Sequence, residues 1–567
     1  MSRAQKRAAE ITLEVMTSAR CQIDWKRYRI ETKQTRYASS LTLNTEFAMS
    51  IPADSPAFTD QLIEGLKLSS AYPHEVIGEI ETRETHISIV FLAGEFAYKI
   101  KKPISTDFLD YSTLELRKHY CEEELRLDRR YADDLYISVV PIGWEDDRLR
   151  IDASSEPVEY AVKMRRFPDE SLLSERIEAG HLTTQEVFQL AEAVATFHQN
   201  ATVCDSDFAT DWTDFLQGNF QQLVKQLQLQ VDRETAATLN VLRCWSDEYF
   251  QKYMPAFAAR AKEGFIRECH GDLHLQNIVH WGDRLIPFDG IEFNERLRWI
   301  DTLSDAAFVT MDLAARGHLD LSRSFMNAYL ERTGDHRYLV TLRWFLIYRC
   351  LVRALAASMR SGQSHITSTQ REAATLDVRQ HVSLAYRFRL HETPRLWITH
   401  GVSGSGKTTF SEAIVQRHDA FRLRSDIVRK HLFGLDLTAR PTPDLQAKMY
   451  TDASNEATYT LLKELATSVL RAGYGVVIDA TFLRRRDREL FHELAMQENV
   501  PFAILDFHSD EQTLRQRVAD RTAANNDASD ANLKVLEHQL RSHQPLTEAE
   551  RSYVVDVPDL IDLADHL

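Results

Sequence analysis

Long apolar runs are missing from this sequence. No stretch approaches the roughly 20 apolar residues needed to cross a bilayer, and the basic N-terminus lacks the apolar segment of a secretory leader. Neither a membrane span nor a leader is therefore expected. The six cysteines, Cys21, Cys121, Cys204, Cys244, Cys269 and Cys350, form no CxxC pair. That argues against a cysteine-built zinc site and a disulfide framework, and it fits a reducing cytoplasm. Positive charge is in deficit: 68 Lys and Arg against 84 Asp and Glu leave a formal charge of -16. A broad footprint for long nucleic acid is not expected, while anion sites in Gly-rich loops stay open. No internal repeat and no heptad seam is present, which excludes solenoids and long coiled coils.

What is present is the composition of a soluble globular protein, 44% hydrophobic and 27% charged, in a chain of 567 residues. That length supports two or three domains, each with its own core. Residues 1–48 carry nine Lys/Arg against five Asp/Glu and no periodic apolar face. They are expected to be a disordered extension, with Met49 a candidate true start. From there "VIGEIETRETHISIVFLAGEFAYKIKKP" predicts three short strands, and "TLELRKHYCEEELRLDRRY" predicts a helix. The chain reads as mostly helical from Thr183 to Ala261 and again from Asp301, with a loop and two strands between. Polar "SGQSHITSTQ" and the segment up to "HETP" mark a boundary near 385, giving domains at 49–385 and 393–567. Beyond it, "RLWITH" and "GVVIDATF" read as buried strands between helices, which predicts a parallel sheet.

"HGDLHLQNIV", His270 to Val279, offers two chemistries. His270 and His274 stand four apart, as two zinc ligands on one helical turn would. Gly271 after the first histidine and strand-like residues after the second argue against an unbroken helix there. A phosphotransferase loop explains more of the letters. Asp272 can accept a hydroxyl proton, Asn277 five residues on can hold Mg²⁺, and Asp289 in "PFDG" can supply a second metal carboxylate.

"HGDLHLQN" followed by "FDG" resembles the aminoglycoside phosphotransferase-like group, a branch of the protein-kinase-like fold, over residues 50–385. The resemblance implies an α+β domain with Asp272 as catalytic residue and Asn277 and Asp289 as Mg²⁺ ligands. It also implies that Lys99 in "AYK" meets the α/β-phosphates, with Glu124 as its helix partner. Lys101 lies on the same strand face and is the alternative lysine. The usual Gly-rich flap is replaced by "ETRETHIS", leaving Thr85, His86 or Ser88 for phosphate contact. An idle kinase fold that binds nucleotide without turnover is the competing reading.

"GVSGSGKTT", Gly401 to Thr409, fits the Walker A pattern between a strand and a helix. Gly401, Gly404 and Gly406 let backbone N–H groups, those around Ser403 and Ser405 included, close on a β-phosphate. Lys407 bridges the β and γ oxygens, and the Thr408 hydroxyl, next to Thr409, suits Mg²⁺. About 175 residues remain, too few for an AAA motor with its helical lid but enough for a small kinase. Asp426 and Arg429 stand three apart after the second predicted strand, as general base and substrate clamp. Asp479 ends a strand as a metal carboxylate, and Arg517 and Arg521 lie on a mobile lid, Arg521 as a charge-neutralising finger. The bland alternatives are a solvated face for Arg429 and Lys430, a surface role for Arg517 and a structural one for Asp479.

Taken together these features resemble the zeta-toxin and polynucleotide-kinase group of P-loop kinases, an α/β fold with a parallel sheet. The fusion is similar to a bacterial family of two-domain predicted kinases, often labelled AAA family ATPases. What the resemblance implies is a cytoplasmic ATP/Mg²⁺ phosphotransferase with two nucleotide sites and small-molecule hydroxyl acceptors. Nucleotide sugars and short 5′-hydroxyl acceptors are compatible. The alternatives are one active P-loop kinase regulated by an idle first domain, and an ATP-sensing switch.

Overall fold

In the computed structural model the described residues are 56–556, apart from 107–108, 364–365, 438 and 525–531. The expected extension over 1–48, with Met49, lies outside them.

Alternation along "FAYKIK" organises the first half. Tyr98 and Ile100 join one apolar cluster, while Lys99 and Lys101 both reach Glu124 on the opposite face, as a period of two requires. Helix α1 (Pro56–Leu66) precedes a six-stranded antiparallel sheet of β1 (Glu81–Glu84), β2 (Ser88–Ala93), β3 (Phe96–Lys101), β4 (Tyr136–Glu145), β5 (Arg148–Ile151) and β6 (Pro157–Arg165). Its spatial order is β1-β2-β3-β6-β4-β5. Between β3 and β4 runs α2 (Leu114–Ala132), capped by the Thr113 side chain, which accepts from the Leu116 N–H. Its buried stripe carries Arg117, Cys121, Glu124, Leu127 and Asp128. Three ionisable groups on a buried stripe each need a partner, and they explain why apolar periodicity alone only half describes this helix.

Helices α3 (Thr184–Asn200), α4 (Ser206–Gln228) and α5 (Arg233–Lys262) follow, then the short strand β7 (Ile266–Glu268) and the hairpin β8 (Ile278–Trp281) and β9 (Arg284–Pro287). Strand β10 (Trp299–Asp301) pairs back with β7. Helices α6 (Thr302–Ala315), α7 (Leu319–Thr333), α8 (Val340–Ser361) and α9 (Ser368–Arg389) complete this half. The predicted loop-strand-turn-strand interruption and the resumption of helix near Asp301 are therefore both present.

The second half alternates strand and helix: β11 (Leu396–His400), α10 (Lys407–Arg417), β12 (Ala420–Arg424), α11 (Ser425–Leu432), α12 (Asp452–Arg471), β13 (Gly475–Asp479), α13 (Arg485–Gln497), β14 (Phe502–Asp506), α14 (Glu511–Ala524), α15 (Leu533–Ser542) and β15 (Val554–Asp556). The strands are all parallel in the order β12-β13-β11-β14-β15. Strands β11 and β13 are buried along their whole length, as strands covered on both faces should be. The central position of β11 places the loop after it at the carboxyl edge of the sheet, where open α/β sheets bind ligands. The fold class is thus an α+β protein-kinase-like half followed by an α/β P-loop half.

The described residues form one compact unit. A single apolar cluster joins Phe325, Tyr329 and Leu330 on α7 to Phe421 and Leu423 on β12. Between those two β12 residues, buried Arg422 donates to Glu331 at 2.8 Å and sits 3.0 Å from Glu412. Its backbone N–H donates to Asn327 at 2.8 Å. Among the described residues no helix is long and apolar enough to cross a membrane.

Candidate active sites

In the first half Glu124 accepts from both lysines, from Lys99 at 3.0 Å and from Lys101 at 2.7 Å. The second partner tells the two apart. Lys99 also pairs with Asp289, whose side chain is 42% exposed; Lys101 pairs with Glu292, 4% exposed and bonded by the Tyr111 hydroxyl. Lys99 therefore stands beside the half-exposed candidate metal carboxylate, while Lys101 is tied wholly between buried groups. Burial disfavours both ammonium charges, but the carboxylates around them prevail and both pKa values lie above the ordinary lysine value.

The candidate catalytic loop is held from below. Asp305 accepts from the His270 N–H at 2.9 Å, the Gly271 N–H at 3.0 Å and His198 Nε2 at 3.1 Å, and Arg349 donates to the Gly271 carbonyl at 3.1 Å. Gly271 has φ +88°, and a Cβ there would meet the Leu297 carbonyl at 2.7 Å. The glycine between the histidine and the aspartate is thus required by the turn. His198, Cys269 and Asp305 lie close enough to suggest a metal cluster, but both Asp305 oxygens are already committed to loop amides. His270 to His274 is not helical, so the zinc-helix arrangement is absent: His270 Nε2 meets the Phe288 carbonyl at 2.9 Å and His274 Nε2 meets Asp272 at 3.2 Å.

Asp272 is 36% exposed and lies 3.2 Å from His274. Burial raises its pKa, but His274, Arg353 and His270 outweigh that and hold it below the usual carboxylate range. Asn277 donates its amide to the Asp272 carbonyl at 3.0 Å, which ties the two candidate residues into one unit. Asp289 adopts φ +62°, unusual outside glycine, and the next N–H, of Gly290, is fixed by Asp128 at 2.9 Å. In the flap, Thr85 closes its own turn, accepting from the Ser88 N–H at 3.0 Å. Ser88 itself is fully buried with an unpartnered hydroxyl, so of the three flap residues it is the one turned away from solvent.

In the second half the loop after β11 needs its glycines. A Cβ at Gly401, φ +145°, would meet the Phe507 carbonyl at 2.8 Å, and one at Gly404, φ +86°, the Leu514 carbonyl at 3.0 Å; Gly406 sits at φ +94°. Lys407 is buried at the start of α10 and donates to the Val402 carbonyl at 2.7 Å. Burial, with help from Arg521, pushes its pKa down to about 8 against the opposing charges of Asp479 and Asp426.

A cavity of about 1050 Å³ opens over this loop. Ser403, Gly404, Gly406, Lys407, Thr408 and Thr409 line it, together with Asp426, Arg429, Asp479, Arg517 and Arg521. Gly401 and buried Ser405 are not among its lining residues; they shape the loop from behind. Arg429 is buried, 3.3 Å from Asp426, donating to Asn455 at 3.1 Å and lying over the Tyr450 ring at 4.6 Å. Lys430 is buried too and donates to the Leu437 and Ala439 carbonyls, so neither residue is a solvated face. Arg517 donates to the Gly404 carbonyl at 3.3 Å. Asp479 is 6% exposed with Oδ2 unpartnered by any hydrogen bond, the Arg424 guanidinium standing 3.8 Å away. Tyr450, Asn455 and Gln539 also line the cavity. They were not legible in the sequence, because they sit among ordinary helical residues outside any motif.

These two candidate sites, the loop around Asp272 and the P-loop cavity, sit in a two-part, kinase-like architecture. Comparison with known proteins places it further. Residues 396–546 match the family model described as AAA domain. The uncharacterized protein Rv2004c of Mycobacterium tuberculosis is 28% identical over 461 residues, covering 80% of this chain and 89% of that one. That span is too long for either half alone, so the relative shares both. A gluconokinase from Sinorhizobium meliloti aligns with 30% of this chain and 86% of its own, at 23% identity and TM-score 0.22. A choline/ethanolamine kinase family protein from Mesorhizobium loti aligns with 58% of this chain and 99% of its own, at 12% identity and TM-score 0.35.

Proposed function

We propose that this chain is an ATP-dependent phosphotransferase with two nucleotide sites, each passing a γ-phosphoryl group to a hydroxyl of a small molecule. The observation that carries the reading is the P-loop cavity, in which Lys407, Thr408, Asp426, Asp479, Arg429 and Arg521 converge on one space large enough for a nucleotide and an acceptor. The donor set suits a hard divalent cation such as Mg²⁺: buried Asp479 has an unpartnered carboxylate oxygen beside the Thr408 hydroxyl's cavity, and Asn277 and Asp289 offer oxygens in the first half. Such an ion, when bound, supplies neutralisation of phosphate charge.

The chain's own residues do the rest. Lys407 steadies the β and γ oxygens, and loop amides hold the β-phosphate. Asp426 takes the acceptor proton, Arg429 grips an anionic group of the acceptor, and Arg521 balances charge as the phosphoryl group moves. In the first half Lys99, aimed by Glu124, meets the α/β-phosphates and Asp272 takes the proton. Catalysis in both is positioning plus charge neutralisation.

The test is to incubate the protein with γ-labelled ATP and a cell metabolite extract and identify labelled products by mass spectrometry. The reading expects labelled small molecules whose formation is lost with Lys407→Ala or Asp272→Ala. Label released solely as inorganic phosphate, at a rate no acceptor changes, would identify a nucleotide-hydrolysing switch instead.

A further inference from the structure

One carboxyl on α2 has no part in the chemistry proposed above. Asp128 lies four residues after Glu124 on the buried stripe of that helix, so the two share a face. Asp128 is fully buried and its Oδ2 has no hydrogen-bond partner, a costly setting for a carboxyl. Its Oδ1 has a specific task there, accepting the Gly290 N–H at 2.9 Å and the Tyr131 hydroxyl at 2.6 Å.

The amide held this way is the one that follows Asp289. Asp289 stands at φ +62°, a left-handed conformation that few residues with a Cβ adopt and that the surroundings must hold. Both amides beside its Cα are held: the Asp289 N–H donates to the Tyr136 hydroxyl at 3.1 Å, and the Gly290 N–H donates to Asp128. A Cβ at Gly290 would meet the Tyr131 hydroxyl oxygen at 2.6 Å, so the contact closes directly on bare backbone. With the backbone fixed on both sides, the Cα–Cβ bond of Asp289 has one direction. The carboxylate it carries pairs with Lys99 and keeps 42% of its side chain exposed.

The geometry points to Asp128 as a positioning residue that, through the Gly290 amide, sets the direction in which Asp289 presents its carboxylate to a divalent cation. Glu124 and Asp128 then work from one helical face, the first aiming the lysine meant for phosphate and the second the carboxylate meant for the metal. This inference rests on the reading of the first half as a nucleotide and metal site. Groups that orient a metal ligand typically contribute about 10–100-fold in metal affinity. Burial, with the charges of Glu124 and Asp289, pushes the Asp128 pKa well above its ordinary value. The neutral carboxamide of asparagine, which keeps an acceptor for Gly290, is therefore a close mimic.

The experiment measures binding of the non-hydrolysable β,γ-imido analogue of ATP to the full chain carrying Lys407→Ala, which leaves the first-half site. Each variant is titrated with Mg²⁺ and again with a chelator, and the ratio of the two affinities is the contribution of the metal. Asp128→Leu, of similar bulk and without an acceptor, should cut that contribution by at least about tenfold, with the affinity in chelator unchanged. Asp128→Asn should restore it. Tyr136→Phe, which removes one oxygen and releases the other amide, should lower it a few-fold and decides the matter if the leucine variant does not fold. A residue that merely stabilised α2 would weaken binding equally with and without Mg²⁺. That pattern overturns the proposal, as does an unchanged metal contribution in folded Asp128→Leu or, where that variant does not fold, in Tyr136→Phe. A loss in Asp128→Asn as deep as in Asp128→Leu would mean that Asp128 acts through its charge, and overturns it too. If Asp289→Ala keeps the full metal contribution, or Lys99→Ala the full affinity, the reading of the first half falls and this inference with it.

Discussion

Replacing Arg422 by methionine should destabilise the chain and disturb the P-loop from the outside. The guanidinium is buried, with Nε donating to Glu331 at 2.8 Å, Nη1 3.0 Å from Glu412 and Nη1 also donating to the Thr408 carbonyl at 3.2 Å. One cation thus serves a carboxylate on α7, a carboxylate on α10 and the backbone of the P-loop threonine. At an effective dielectric near 20 each close pair is worth about 4 kcal/mol of Coulomb energy, most of it offset by desolvation. Removing this partner leaves two buried carboxylates with the Arg424 charge alone to oppose their burial and costs about 3–5 kcal/mol.

The loss should depend on pH. In the native chain burial works against the Glu331 charge, but Arg422 and Arg424 hold its pKa below the ordinary value, whereas burial raises that of Glu412. A lowered carboxylate pKa contributes stability that is present above the unfolded pKa and fades on acidification. Without Arg422 both glutamates are raised, so they take up protons in the folded state, and the deficit should shrink as pH falls from 7.5 toward 5.5. Denaturation midpoints of wild type and Arg422→Met at those two pH values measure it, with nucleotide binding at the P-loop as a second readout. A deficit below about 1 kcal/mol, the level of an exposed pair, or one that is the same at both pH values, would refute the reasoning.

Lys99→Ala should abolish nucleotide binding by the first half at a smaller cost in melting than Lys101→Met, which should cost about 3–5 kcal/mol because buried Glu292 as well as Glu124 then loses its partner; calorimetry on both variants separates the roles. The ligand-free Lys407 has a pKa near 8, depressed from the ordinary 10.5 chiefly by burial, so its charge costs stability below pH 8 and that cost fades between 8 and 10.5. Nucleotide affinity at the P-loop should accordingly fall as pH rises above 8, by up to about tenfold per unit, with proton uptake on binding detectable in buffers of different ionisation heat. Asp426→Asn should lower kcat by roughly 10²–10⁴-fold with nucleotide binding intact, while Arg429→Ala should mainly raise the acceptor KM.

Both candidate sites could be read from the sequence because their parts are local. The stretch from His270 to Asp289 is one loop and one hairpin, and Gly401 to Thr409 is one loop at a helix start, so spacing along the chain maps directly onto space. The lysine choice was not legible, since Lys99 and Lys101 share a strand face and a partner, and what distinguishes them is Asp289 and Glu292, nearly two hundred residues away. Asp305, His198 and Asp128 were missed for the same reason: each acts through a long-range hydrogen bond from an ordinary helix. Arg429 left open a surface role, because a three-residue spacing shows which face a side chain shares and not whether Tyr450 and Asn455 cover it. The charged stripe on α2 likewise hid its burial from any reading of apolar periodicity.

The most direct test of two nucleotide sites on one chain is the binding stoichiometry of the β,γ-imido ATP analogue by titration calorimetry. The account predicts two equivalents for the wild type, one for Lys99→Ala, one for Lys407→Ala and none for the double variant. A single equivalent in the wild type, or loss of both from either substitution alone with the chain still folded, would contradict it.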